Sequence, residues 1–213
     1  MRRFDPFLPN QKNFRMEYLV FVSSIVQLIG AYLYIKKTIK GETKPNRVTW
    51  LMWSVAPLIG TAAALSNGVG LAVIPVFMSG FCPLLILISS FLSPKSYWKL
   101  TTLDYVCGIC SVIALILWAI TKNPEVAILF AVLTDALAGA PTLIKGWKYP
   151  ETETYTPFLA GIFGCLTAFA AMKTGSFSEY AFPAYISFFN TLMLFALFRK
   201  KLFHQSNKAK TGI

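Results

Sequence analysis

One carboxylate lies in the middle of a long apolar stretch of the sequence. Asp135 is centred in residues 126–144, a run that contains no lysine or arginine to pair with it. An ionised carboxylate at the centre of a membrane helix costs roughly 2.5–3.5 kcal/mol on insertion scales. Low dielectric disfavours the charged form, so such a group can take up and release a proton as its surroundings change. The sequence predicts proton coupling or a hydrogen bond to a solute. The alternative is a protonated aspartate bonded to a neighbouring helix.

Two polar stripes follow helical spacing in the apolar runs. Asp135 shares one helix face with Thr142 and with the small residues Ala131 and Ala138. The first apolar run carries a second stripe at the same spacing: Ser24, Gln27, Ala31 and Tyr34. Small and polar stripes suit a bundle interior, so we expect the two to face a common cavity. Gln27 can contact a solute there or join two helices by a hydrogen bond.

Further candidates are an amide, a hydroxyl, an indole and two prolines. Asn190, with Ser187 beside it, can bind a polar solute or bond across helices. Trp53 can stack on a ring of the solute, and ordinary packing is the alternative. Pro141 and Pro157 free backbone carbonyls and bend their helices. The bends can act as gating hinges or be static kinks. The candidate solute-binding or coupling residues are Asp135, Gln27, Asn190, Trp53, Ser187 and Thr142, with Pro141 and Pro157 as gating hinges.

The sequence offers no catalytic constellation. The single histidine, His204, lies in the C-terminal segment, and there is no serine-histidine-acid set, phosphate-binding loop or cluster of metal ligands. The four cysteines lie in apolar runs, where small core residues are expected: Cys82, Cys107, Cys110 and Cys165. We therefore predict that the protein is not an enzyme and that it needs neither a cofactor nor a metal.

Composition and patterning indicate that these residues sit in membrane helices. Of the 213 residues 55% are hydrophobic and 14% are charged, and the mean hydropathy is +0.57. These values indicate lipid rather than water as the solvent. Stretches of spanning length predict an all-α membrane protein with seven transmembrane helices, at residues 18–35, 48–65, 69–92, 105–121, 126–144, 155–172 and 180–198. The very short turn after residue 66 makes the second and third helices antiparallel neighbours.

The loop charges predict an orientation. Six of the 20 lysines and arginines fall on the side of the N-terminus and fourteen on the side of the C-terminus. The positive-inside rule then places the N-terminus outside and the C-terminus in the cytoplasm. The net charge of +11 therefore indicates anionic lipid headgroups rather than nucleic acid as the partner. Trp50, Trp98 and Trp147 are expected as interfacial belt residues on the cytoplasmic side, and Asp104 and Asp5 as solvated residues at the membrane edges.

The first and last thirds of the chain can be aligned with each other. Gly30-Ala31 matches Gly139-Ala140, and Pro75 matches Pro183 in the same order. Such a duplication predicts two parallel three-helix repeats joined by a linker helix, a 3+1+3 arrangement. We expect the first helix of each repeat to neighbour both of the others. The predicted parts are an extracytoplasmic segment (1–17), the first repeat (18–92), the linker helix with its loops (93–125), the second repeat (126–198) and a basic cytoplasmic tail (199–213).

This organisation resembles the SWEET and PQ-loop superfamily of small-solute carriers. The similarity is clearest in residues 138–145 and 152–159, which look like the fifth-to-sixth helix segment of a SWEET, with a proline in each helix. The resemblance implies the 3+1+3 fold with its N-terminus outside. Sugar transport does not carry over, because Ala184 stands where SWEETs have a substrate-binding asparagine and the proline-glutamine pair is absent.

Three functions follow from these features. The prediction is a facilitator or proton-coupled carrier of a small polar solute that works by alternating access between the repeats. The alternatives are a receptor or sorting factor with the same fold and an accessory protein without transport activity. The predicted location is the plasma or inner membrane, and a homo-oligomer remains open. The solute and the direction of transport are not specified by the sequence.

Overall fold

The computed structural model describes residues 11–66, 74–121, 123–171 and 177–211, and these residues are helical apart from short connections. The helices are α1 (Gln11–Ile39), α2 (Arg47–Ser66), α3 (Ile74–Leu92), α4 (Thr102–Ile120), α5 (Pro124–Lys148), α6 (Thr156–Ala171) and α7 (Phe177–Thr211). Single 3-10 turns at Pro94–Ser96 and Pro150–Thr152 precede α4 and α6. The seven predicted helices are therefore present. Residues 69–73 and 172 of the predicted spans lie outside the described residues.

The helices present apolar side chains to the surroundings, as membrane helices do. Within the described residues, four helical segments are long and apolar enough to cross a membrane: Ile74–Leu92, Thr102–Ile120, Glu125–Lys148 and Tyr180–Lys200. The outer face of α4 is a continuous apolar strip: Tyr105, Ile109, Ile113, Ile116 and Ile120 are all more than half exposed. A strip of this size on a soluble protein would be an aggregation site, whereas lipid covers it without cost. The protein is thus an all-helical membrane protein.

The packing order of the helices differs from their order in the chain. α3 packs between α1 and α2, and α7 packs between α5 and α6. α1 also packs along α6, α2 packs against α5, and α4 covers α5 and part of α2. The expected pairing of α2 with α3 is confirmed. The expected contact of α1 with α2 is present through the rings of Tyr34 and Trp50, whose centroids lie 5.0 Å apart, and α3 packs more extensively on both helices.

Close backbone contact between α1 and α6 depends on a glycine. Thr156 donates a hydrogen bond from its hydroxyl to the Gly30 carbonyl at 3.0 Å. A Cβ at Gly30 would lie 2.8 Å from the Ala160 Cβ and 3.0 Å from the Thr156 carbonyl oxygen. These atoms belong to the first turns of α6 and cannot rotate away, so the two helices would have to separate.

We expect Gly30→Ala to destabilise the protein by about 1–3 kcal/mol, the usual cost of overpacking. Gly60→Ala in α2 is the matched control, because its nearest neighbour would be Val76 Cγ1 at 4.0 Å. That substitution is expected to gain up to about 1 kcal/mol from helix propensity. Thermal unfolding of both variants in detergent measures the difference. Equal stability of the two would show that α1 and α6 can part without cost.

Candidate functional site

Asp135 lies where α5 meets α2 and α7. The Tyr185 hydroxyl of α7 donates a hydrogen bond to Asp135 Oδ2 at 2.9 Å. The Trp53 indole N–H of α2 donates to the backbone carbonyl of Asp135 at 3.4 Å. Three helices therefore converge on this one residue, halfway along α5. The structure brings together two of the predicted residues, Asp135 and Trp53, and adds Tyr185, which the sequence did not single out.

Aromatic rings surround this carboxylate on the side of α2 and α7. Trp53 meets Phe189 edge to face with 5.7 Å between ring centroids, and it meets Phe158 of α6 at 6.4 Å. Tyr185 and Phe189 lie one helical turn apart at 6.2 Å. Gly139 admits these rings, because a Cβ there would lie 2.4 Å from Phe189 Cζ. The rings are thus packed directly onto the α5 backbone beside Asp135.

The site is inward-facing yet not fully closed. Leu129, Leu133 and Ile144 mark the outer, exposed face of α5, and at 100° per residue Asp135 lies nearly opposite to them. Thr134 and Ala138, next to it on the inner face, are 3% and 1% exposed. Asp135, Trp53 and Tyr185 nevertheless remain partly accessible. The three side chains therefore form a polar and aromatic surface that their neighbours do not completely cover.

Thr142 and Pro141 extend the inner face of α5 from this site towards the C-terminal end of the helix. The Thr142 hydroxyl donates to the Thr49 hydroxyl of α2 at 2.9 Å, and both side chains are fully buried. Pro141 is an internal, buried residue of α5. Thr142 therefore holds α5 to α2, two turns away from Asp135.

The other predicted residues occupy different interfaces. Gln27 donates to the Ser23 hydroxyl at 3.4 Å and lies against Gly164 of α6. Asn190 is 8% exposed and packs against Gly161 of α6, and Ser187 lies against the Cys165 thiol. Pro157 is the second residue of α6, where a missing N–H costs no helical hydrogen bond. These residues join α6 to α1 and α7 and do not meet Asp135.

The two polar stripes lie on helices that pack largely on different neighbours. α1 packs on α3 and α6, whereas α5 packs on α4, α7 and α2. Tyr34, the last member of the α1 stripe, is fully buried and meets Trp50 at 5.0 Å. Tyr34 nevertheless reaches the polar face of α5 through Glu153, which pairs with Lys145, and the expectation of one common cavity stays a prediction.

A second polar centre lies at one end of the bundle, where α1, α3 and α5 end. The connections 40–46, 93–101 and 149–155 meet there, and the first two carry Lys40, Lys44, Lys95 and Lys99, so we call it the basic end. Lys145 of α5 forms an ion pair with Glu153, and the two side chains are 1% and 0% exposed. Glu153 also accepts a hydrogen bond from the Tyr34 hydroxyl at 2.8 Å, and Trp98 places its ring 4.9 Å from the Lys145 ammonium. The two buried charges thus compensate each other within the protein.

The same cluster joins the connection after α1 to the connection after α5. The Lys145 ammonium donates to the Lys44 carbonyl, and the Lys44 N–H donates to the Thr152 carbonyl at 2.9 Å. Thr43 and Thr154 share a hydrogen bond between their hydroxyls at 2.6 Å, and both are buried. We call these contacts, together with Tyr34 and Glu153, the closure cluster.

Two expectations about this end are wrong. Asp104 is 3% exposed rather than solvated, because it accepts hydrogen bonds from Asn46 and from the backbone and hydroxyl of Thr101. It forms the capping box of α4 and ties that helix to the connection before α2. Trp50 is 2% exposed and packs on Tyr34 and Trp53, so it belongs to the core and not to an interfacial belt.

Sequence reasoning missed Tyr185, Lys145 and Glu153. Tyr185 stands one turn from Phe182 and one from Phe189, and this aromatic stripe was the available signal. Lys145 follows the polar face of Asp135 and Thr142 at helical spacing, and this spacing places it inside the bundle. Glu153 had no signal, because its position depends on the turn at Pro150–Thr152.

Comparison of the chain with protein-family models, with curated proteins and with solved structures found no match. Among the described residues there is also no group of three histidine, cysteine or acidic side chains placed to hold a metal ion. The function is therefore argued from the Asp135 site and the closure cluster.

Proposed function

We propose that the protein is a carrier that moves a small polar solute across the membrane past Asp135. The observation that supports this best is a carboxylate halfway along α5 that is contacted by α2 and α7 and remains partly accessible. Intramembrane acids are costly and generally mark solute or ion pathways. A purely structural aspartate would be expected to be fully enclosed.

The packing order supports two three-helix repeats related by a pseudo-two-fold axis, with α4 as the linker. If α1, α2 and α3 correspond to α5, α6 and α7, the place of α3 between α1 and α2 corresponds to that of α7 between α5 and α6. The same exchange relates the α1–α6 contact to the α2–α5 contact. This is the 3+1+3 arrangement that the resemblance to the SWEET and PQ-loop superfamily implies. It places Asp135 where the second repeat contacts the first.

The closure cluster supports alternating access. It joins the connection within the first repeat to the connection within the second, so the two repeats cannot part at the basic end while it is intact. We place this end in the cytoplasm on the loop charges. A carrier in this state is closed on the cytoplasmic side, and its solute enters from the opposite side.

Ligand screening and uptake together test the proposal. Detergent-purified protein is screened by thermal unfolding against sugars, amino acids, nucleosides and vitamins, because a ligand stabilises the state that it binds. Any hit is then followed into proteoliposomes with and without an imposed pH gradient.

We expect Asp135→Asn to fold normally and to lower uptake at least tenfold or to remove its response to the gradient. Glu125→Gln, an exposed acid in the first turn of α5, is the control and should match the parent. If Asp135→Asn takes up the solute as the parent does, Asp135 is structural. Binding without any uptake would favour a receptor of the same fold.

A further inference from the structure

Asp135 differs from the other buried acids in how its charge is compensated. Glu153 is paired with Lys145, and Asp104 accepts hydrogen bonds from Asn46 and Thr101. Among the described residues, no lysine, arginine or histidine forms an ion pair or hydrogen bond with Asp135. Its carboxylate has the neutral hydroxyl of Tyr185 as a partner. In its ionised form a poorly solvated carboxylate without a positive partner is costly, and a bound cation would remove that cost.

The surroundings of the carboxylate favour a cation that has an organic surface. Trp53, Tyr185 and Phe189 form a continuous group of rings beside it. Aromatic faces attract ammonium and guanidinium groups and are poor ligands for small metal ions. One carboxylate and one hydroxyl are also too few oxygens for calcium or magnesium, which take six or more. The chemistry of the site therefore matches a large, weakly hydrated cation.

The partial accessibility of the three side chains lets such a cation reach the carboxylate. Asp135, Trp53 and Tyr185 are each partly accessible although they lie on inward faces of their helices. The nearest buried ammonium, Lys145, lies ten residues further along α5 and is neutralised by Glu153. At 1.5 Å per residue this is about 15 Å away, so it does not repel a cation at Asp135.

We propose that Asp135, Trp53 and Tyr185 bind an organic monocation, such as a quaternary ammonium or a guanidinium compound. This inference rests on the proposed function, because it takes the Asp135 site as part of the solute pathway. The ligand places its positive group against the carboxylate and its apolar surface against the rings of Trp53 and Tyr185. Binding involves no covalent step, and the cation supplies the positive partner that the chain lacks.

Matched pairs of ligands test the inference on the full chain in detergent. One pair is choline and a neutral alcohol of the same shape in which carbon replaces the ammonium nitrogen. The other is methylguanidinium and methylurea. We expect a saturable rise in unfolding temperature with at least one of the two cations and none with its neutral counterpart. Asp135→Asn should weaken that response roughly a hundredfold, as for loss of a buried ion pair. Asp135→Glu, which keeps the charge, should retain it in part, and Glu125→Gln should match the parent.

Each other outcome also decides the question. Equal shifts by cation and neutral isostere, or no shift by either cation at any concentration, would overturn the inference. If the protein then carries a neutral solute in proteoliposomes, the carrier proposal stands without it. A cation that binds in the expected pattern but is never taken up would support the site and overturn the carrier.

Discussion

A disulfide between positions 43 and 154 is expected to abolish uptake, and a reductant is expected to restore it. The two threonine hydroxyls are 2.6 Å apart in the closure cluster, so cysteine sulfurs at these positions can reach the bonding distance of about 2.05 Å. The bond would hold the connection after α1 to the connection after α5. A carrier that must open at this end to release its solute would then stop, while a ligand that enters from the other end would still bind.

The experiment is an uptake assay in proteoliposomes before and after addition of dithiothreitol. It uses Thr43→Cys/Thr154→Cys in a background in which the four native cysteines are replaced by alanine. We expect uptake to fall at least tenfold on oxidation and to recover on reduction. The single variants Thr43→Cys and Thr154→Cys are the controls, since neither can form the bridge. Unchanged uptake by fully oxidised protein would mean that this end does not open during transport.

The helices follow from the sequence because each is determined locally. A run of about twenty apolar residues must form a helix in lipid, where every backbone group needs an internal hydrogen bond. The small number of residues between α2 and α3 in the sequence likewise predicts that these two helices pack together, as they do. The sequence match of Pro75 with Pro183 predicts that these two residues superpose when one repeat is laid on the other, and this stays a prediction. Local rules therefore predict the existence of the helices and the pairing of close neighbours.

Contacts between distant helices did not follow from the same rules. The polar face of α1 was identified, but its partners were not, because periodicity assigns a residue to a face and not to a neighbour. The stripe of Gln27 was expected to share a cavity with that of Asp135, whereas Gln27 lies against Gly164 of α6. The free-energy cost of exposing the Asp135 carboxylate to lipid does not depend on which helix lies opposite. The sequence therefore identified Asp135 correctly as an inward residue. Its partner Tyr185 could be found only once α7 was placed against α5.

Charge at the helix ends was the other source of error. Lys145 and Asp104 were assigned to the loops and membrane edges, where most charged residues of a membrane protein lie. Both are buried in this bundle, since Glu153 and Asn46 come from other segments and meet them there. Whether a terminal charge is solvated or buried depends on the fold of the connections. Here those connections form the closure cluster.

Lys145→Ala is expected to destabilise the protein by about 3–5 kcal/mol. The substitution removes the ammonium and leaves Glu153 buried without a positive partner, which is the costly way to break a buried ion pair. It also removes the donor to the Lys44 carbonyl and the cation over the Trp98 ring. Lys148→Ala is the matched control, because that lysine is exposed in the same last turn of α5. Its effect should stay within about 0.5 kcal/mol.

A double variant separates the charge from the rest of the cluster. In Lys145→Met/Glu153→Gln the two charges are removed together, and the new amide still accepts the Tyr34 hydroxyl hydrogen bond. Removing both partners of a buried ion pair is often nearly neutral, so this variant should recover most of the stability lost in Lys145→Ala. Denaturant titration in detergent measures all three variants. If the double variant is no more stable than Lys145→Ala, the loss comes from packing around the lysine stem. Recovery of stability in the double variant would instead assign the loss in Lys145→Ala to the unpaired carboxylate of Glu153. The ion pair would then be the contact that must be broken for the basic end to open.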